Sequence, residues 1–406
     1  MCKKPLFFLF GLFIASFLTA SAQSNPDFIN ISSGVKYQYM GSYDVNRLNS
    51  ILTKDADAFS EYKLDYAPAR YPVKLYRVIY NSVIPEKNNK PTIASGLIAI
   101  PDNGKNNMPV VSYQHGTVFG KTDVPYYPEQ SSETRLMVAN FASQGYIFIS
   151  ADNFGKAIST EPDAYQLKES TQQADLDMLL ASKEVLKALK IQDGPLFLSG
   201  WSMGSWSTLL FLQKLESLNI PVKAAAVACN PTDIFALINR WIHNPNAIDA
   251  VWLPGIMAVQ LNSYAQYYDL PGLAESGIKP EYQKASLDYY QNKITYNQFY
   301  AITPHKLADF LKPEFMEASS LGVGRYWGLL EFNNSYRWRS KTIINCYYGE
   351  VDEAIPMYIG TLPLGYQELV GGAKVNVISA GSKGDHRGTF KFAIKDQKKW
   401  FDSLLQ

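Results

Sequence analysis

The stretch Leu196-Phe197-Leu198-Ser199-Gly200-Trp201-Ser202-Met203-Gly204 decides the reading of this chain. Leu196–Ser199 is a short apolar run with the character of a buried strand. From Ser202 to Leu218 the apolar spacing becomes helical. Between them a serine sits in the pattern G-x-S-x-G. With 33 serines and 26 glycines, chance supplies that pattern in about one chain in seven of this composition, so the flanks must decide. They do: a strand running directly into a helix needs a sharp turn, and the two glycines remove the Cβ atoms that would collide there. Such a turn lifts the Ser202 hydroxyl above a sheet and sets a helix N-terminus beneath it, where negative charge is favoured.

Working outward, apolar strands alternate with helices on both sides of this turn. Val73–Tyr80 and Ile93–Ile100 read as an antiparallel hairpin. Pro109–Gln114, Tyr146–Ser150, Leu196–Ser199, Val222–Cys229, Thr342–Tyr348 and Lys374–Ser379 read as buried strands. Thr134–Ser143, Lys168–Lys190, Ser202–Leu218 and Gly388–Leu405 read as helices. This order predicts an α/β fold, a mostly parallel sheet with helices on both faces. It breaks once, between Cys229 and Lys341, where no convincing strand occurs. A structureless loop of that length does not suit a compact domain, so 231–340 is expected to be a helical cap. The core is then 73–230 with 341–406, and 23–72 is an N-terminal extension with one short surface helix on Val45, Leu48, Ile51 and Leu52. Residues 261–300 hold eight tyrosines, which either pack the cap onto the sheet or offer a platform for a flat or apolar group.

Thirty-eight basic residues against 37 acidic ones leave a formal charge of +1, without the basic footprint of a nucleic-acid binder. Hydrophobic residues at 47% and charged residues at 18% support a sizeable core. Lys3 and Lys4, the apolar run from Leu6 to about Leu18 and Ala20-Ser21-Ala22 read as an export signal, residues 1–22, cleaved before Gln23. The run is too short for a comfortable bilayer span, so no integral membrane span is expected after cleavage, and the placement expected is secreted or periplasmic. Cys229 and Cys346 fall in apolar strand patterns. They suit buried thiols, although an exported chain could pair them.

A serine hydroxyl needs a base, and the chain has four histidines. His243 and His305 fall in the cap. His115, directly after a strand, suits a loop buttress. His386, in Gly384-Asp385-His386-Arg387-Gly388 ahead of the last helix, is the expected base, on a loop able to swing over the sheet edge. Asp352, after Thr342–Tyr348, is the expected orienting acid. Asp233 is its rival, while Glu350 and Glu353 are expected to face solvent and Asp385 to point elsewhere. The oxyanion donors expected are the backbone N–H groups of Met203 and Thr117, with Gly116 allowing close backbone approach. Asp152 and Trp201 are given loop and packing roles. No metal-ligand spacing or phosphate-binding loop is present, so no cofactor or metal is expected.

With Tyr113–Thr117, Gly145–Gly155, Gly200–Gly204, the Asp352 turn, the His386 loop and the insertion before the acid, the chain resembles the α/β-hydrolase superfamily. Within it, the chain is similar to secretory lipases and bacterial serine esterases over roughly 73–405. The order Ser202, Asp352, His386 is the order of that superfamily. The resemblance implies hydrolysis of a small-molecule, lipid or carbohydrate ester through an acyl-enzyme, with the cap over the acyl pocket. Ser-Met-Gly-Ser at the turn and the tyrosine-rich cap point away from long-chain triglycerides. A serine peptidase or amidase of the same fold, or a non-catalytic binding protein, are the alternatives.

Overall fold

The computed structural model describes residues 27–32, 34–322 and 324–406; the expected leader, 1–22, lies outside them. Ten strands form one sheet: β1 (Ile29–Ser32), β2 (Val35–Tyr43), β3 (Val73–Ile84), β4 (Lys90–Pro101), β5 (Asn107–Gln114), β6 (Ile147–Ala151), β7 (Gln192–Trp201), β8 (Ala224–Ala228), β9 (Ile344–Tyr348) and β10 (Val375–Ser379). Their order is β1-β2-β3-β4-β6-β5-β7-β8-β9-β10. The first four strands and the β4–β6 pair are antiparallel, and the pairs from β6 to β10 are parallel. The parallel strands at the centre are near-continuous apolar runs because helices cover both faces. Strand β8 (Ala-Ala-Ala-Val-Ala) is buried along its whole length.

Seven helices matter here: α1 (Val45–Ser50), α2 (Ser132–Phe141), α3 (Lys168–Ala188), α4 (Met203–Ser217), α5 (Ile234–His243), α6 (Leu253–Tyr267) and α7 (His386–Ser403). The N-terminal segment departs from expectation. It adds β1 and β2 to the sheet edge, and the helical stretch after Asp44 is no surface helix, since Leu48 and Ile51 are fully buried.

Between β8 and β9 the chain is helical from Ile234 to Phe332, apart from short connections and one isolated bridge, Ile278 to Leu311. Its tyrosines hold it to the core. Tyr264, Tyr267 and Tyr290 donate to the backbone carbonyls of Gln166 (3.1 Å), Pro162 (2.7 Å) and Asp163 (3.1 Å), and Tyr289 donates to that of Phe119 (3.3 Å). Tyr296 stacks on Phe119 at 4.2 Å. A buried phenol needs a partner, and these find theirs in loop carbonyls that the sheet leaves unpaired. These five contacts pack the helical segment onto the core. No helix among the described residues is long and apolar enough to cross a membrane.

Candidate active site

The turn at Ser202 has φ 55° and ψ −127°, a conformation a non-glycine residue holds only when its surroundings impose it. The two glycines show what imposes it. A Cβ on Gly204 would lie 1.9 Å from the Gln114 carbonyl oxygen, and one on Gly200 would lie 2.2 Å from Thr208 Oγ1. The turn is thus pressed against the end of β5, where the His115–Thr117 loop departs. Met203 is the first residue of α4, so its N–H has no partner within the helix.

Three side chains from distant parts of the chain meet above this turn. His386 Nε2 lies 2.9 Å from Ser202 Oγ, and His386 Nδ1 lies 2.9 and 3.1 Å from the two Asp352 oxygens. Asp352 Oδ1 also accepts from the backbone N–H groups of Ala354 and Ile355, both at 2.9 Å. That carboxylate has no proton to offer, so it accepts the Nδ1–H and leaves the Nε2 lone pair facing the hydroxyl. Burial opposes charge on both partners. The pairing outweighs it, so the Asp352 carboxyl is held below its usual range and the His386 imidazolium above its own.

His386 departs from expectation in one respect: it does not ride on a swinging loop. Asp385 caps α7 by accepting from the Gly388 N–H, so the helix begins at His386 itself. The His386 N–H donates to Glu353 (3.0 Å), and its carbonyl accepts from the Trp201 indole (3.0 Å) and the Cys229 thiol (3.5 Å). Trp201 also lies against the imidazole, ring centroids 5.0 Å apart. Glu353, expected in solvent, therefore anchors the histidine's backbone, and Trp201 does more than fill space.

The other expectations divide. Asp233 caps α5 through the Ala236 N–H (2.9 Å) and pairs with Arg337 (3.1 Å), so it is committed away from His386. His115 is buried with Nδ1 2.8 Å from the Gly116 carbonyl, and burial lowers its pKa to about 4. It is a neutral loop buttress. Asp152 accepts from Ser95 (2.6 Å) and the Tyr126 N–H (3.1 Å). Glu350 is exposed and accepts from Ser379 (2.8 Å). Cys229 and Cys346 are free and buried. Among the described residues one group has metal-ligand character, Cys229 with Asp352 and His386, whose ligand atoms lie within 4.8 Å of one another. Two of its members are already engaged with each other.

Two cavities open beside Ser202. The larger, about 320 Å³, has His386, Glu353, Arg387, Glu133 and Asp123 on its walls, with the rings of Phe59, Phe119, Trp201 and Trp252. The smaller, about 20 Å³, lies among Met203, Leu237, Trp241, Trp252, Ile256 and Ile355. Thr117 lines both, and its hydroxyl meets the Tyr165 hydroxyl at 2.8 Å. Glu133 carries no signal in the sequence, where it stands just ahead of the expected helix Thr134–Ser143.

No protein-family model and no curated protein matches this chain. Solved structures do. A Legionella pneumophila protein, described only provisionally as a hydrolase, aligns with TM-score 0.82 at 22% identity over 93% of this chain and 98% of its own. The rice cell-wall-degrading esterase LipA of Xanthomonas oryzae aligns with TM-score 0.76 at 17% identity over 93% and 98%. Candida antarctica lipase A in its closed state aligns with TM-score 0.60 at 15% identity over 86% and 77%. Identities this low establish a common fold.

Proposed function

We propose that this chain, whose fold is that of the α/β-hydrolases, is an exported serine hydrolase that cleaves carboxylic esters of short acids. The observation that carries the reading is the continuous line Ser202 Oγ–His386 Nε2, His386 Nδ1–Asp352, with 2.9 Å at each step. His386 takes the Ser202 proton as the oxygen attacks the ester carbonyl. The N–H groups of Met203 and Thr117 receive the charge that collects on the carbonyl oxygen. His386 then protonates the leaving alcohol, and in the second half-reaction it activates water to release the acid.

The division of space supports the choice of substrate. The alcohol must leave from the side where His386 can protonate it, and only the larger of the two cavities beside Ser202 has His386 on its wall. Its carboxylates, Arg387 and aromatic rings suit a polar, ring-containing alcohol such as a sugar. LipA, of the same fold, carries the description of a cell-wall-degrading esterase. The acyl group is left with the smaller cavity, about 20 Å³ against about 320 Å³, which favours a short acyl chain.

A panel of aryl esters graded from acetate to palmitate, with a proline amide as contrast, tests this. The acetate should have the highest kcat/KM, falling at least tenfold for each pair of added methylenes, consistent with roughly 1–3 kcal/mol for each methylene that does not fit. Trp241→Ala opens the acyl slot and should move the optimum to butyrate or longer. A palmitate optimum in the unaltered protein, or faster amide cleavage, refutes the assignment. Export rests on the leader-like residues 1–22, and the N-terminal residue of the secreted chain should be Gln23.

A further inference from the structure

We propose that Glu133 is a positioning residue for ester hydrolysis, its carboxylate clamping the loop that carries the Thr117 amide. The proposal rests on the serine-hydrolase reading above. Glu133 is the second residue of α2 and is buried beneath the 115–117 loop. Its Oε1 accepts from the Gly116 N–H at 2.7 Å and from the Tyr113 hydroxyl. The next peptide along is also held, because the Gly116 carbonyl accepts from His115 Nδ1 at 2.8 Å.

Peptide planarity gives these two contacts their consequence. The Gly116 carbonyl and the Thr117 N–H belong to one planar unit and point in opposite directions, so fixing the oxygen fixes the direction of the N–H. Glu133 fixes the preceding unit, and with it the place from which the Thr117 peptide starts. The loop is also backed by Trp201, whose ring would lie 2.8 Å from a Cβ on Gly116. An ionised acceptor on a backbone N–H is a strong, directional restraint. An oxyanion donor depends on such restraint because it must aim at where charge will develop.

The clamp is also open to pH. Burial pushes the Glu133 carboxyl up to about 7, against the hydrogen bonds from Tyr113 and Gly116. Arg387, at the start of α7, faces it with positive charge, as His386 does once protonated, and Asp123 and Glu353 line the same cavity. The ionised form holds the N–H more strongly and favours the imidazolium that forms during turnover. Protonation of Glu133 and protonation of His386 therefore both act against turnover as pH falls.

The test is steady-state kinetics of Glu133→Ala and Glu133→Gln on a short-acyl ester across pH 5–9, with melting curves for both variants. Glu133→Ala should lower kcat about 10²-fold with KM within threefold, the size expected for misplacing one oxyanion donor. Glu133→Gln keeps the shape and one acceptor oxygen, and should lose less, about tenfold. In the unaltered protein the acid limb of log kcat/KM should be steeper than a slope of one where Glu133 protonates, the extra fall being no more than the roughly tenfold loss that Glu133→Gln shows. In Glu133→Gln it should fall to one, a change that a purely structural role would not produce. If Glu133→Ala does not fold, the Gln variant carries the test. A slope of one in both proteins, or a kcat loss below threefold in Glu133→Ala, overturns the proposal. The underlying reading fails differently, by absence of esterase turnover in the unaltered protein.

Discussion

Ser202→Ala is expected to lower kcat on a short-acyl ester by about 10⁶-fold, the loss seen when the nucleophile of such a relay is removed. The side-chain partner of Ser202 Oγ is His386, so the substitution removes one hydrogen bond and no packing. Alanine bears the same Cβ as serine, so it meets no new obstacle at φ 55°. The melting temperature should therefore stay within a few degrees while turnover falls to the residual level supplied by binding and the oxyanion donors. Turnover above 1% of the unaltered protein would contradict the role given to this oxygen.

Asp352→Asn should cost about 10⁴-fold in kcat, and the physical reason can be read from its partners. The Ala354 and Ile355 N–H groups require an oxygen at the Oδ1 position. An asparagine that keeps its oxygen there puts its NH₂ at the Oδ2 position, where the carboxylate oxygen lies 3.1 Å from His386 Nδ1, so one of the two acceptors of the Nδ1–H becomes a donor facing it. The imidazole relieves this by moving its proton to Nε2, which can then no longer accept from Ser202. Asp233→Asn is the control. It leaves His386 untouched and keeps the cap on α5, so it should change kcat less than threefold, with a slightly lower melting temperature from the lost charge pair with Arg337. Kinetics of the two variants side by side distinguish the acids; a severe loss at Asp233 with little at Asp352 would reverse the assignment.

How much was legible in the sequence depended on whether the relevant signal was local. The turn at Gly200–Gly204 could be read because its strand, glycines and helix are contiguous. Asp352 and His386 could be placed on the same side as Ser202 because each follows a parallel strand, and parallel strands all end on the same side of the sheet. Strand β2 was missed because its run, VKYQYMGSY, is polar and aromatic, and a register shift between Tyr39 and Gly41 breaks the alternation that marks a strand. The glycines that bracket His386 read as a loop. What makes it helical is the Asp385 cap, with Gly388 at a point where a Cβ would come 2.7 Å from Tyr62. Glu133 and Glu353 gave no sign in the sequence, since each acts on a backbone N–H far away in the chain.

The most direct measurement of the central claim is the intact mass of the protein after treatment with a fluorophosphonate, followed by peptide mapping. A phosphonylating agent adds stably only to a serine whose proton is taken as it attacks, so the adduct reports the line from Asp352 through His386 to Ser202 as a working unit. The expected result is one adduct per chain, on Ser202, absent from Ser202→Ala and strongly slowed in Asp352→Asn. An unmodified protein, or an adduct that persists in Ser202→Ala, would contradict it.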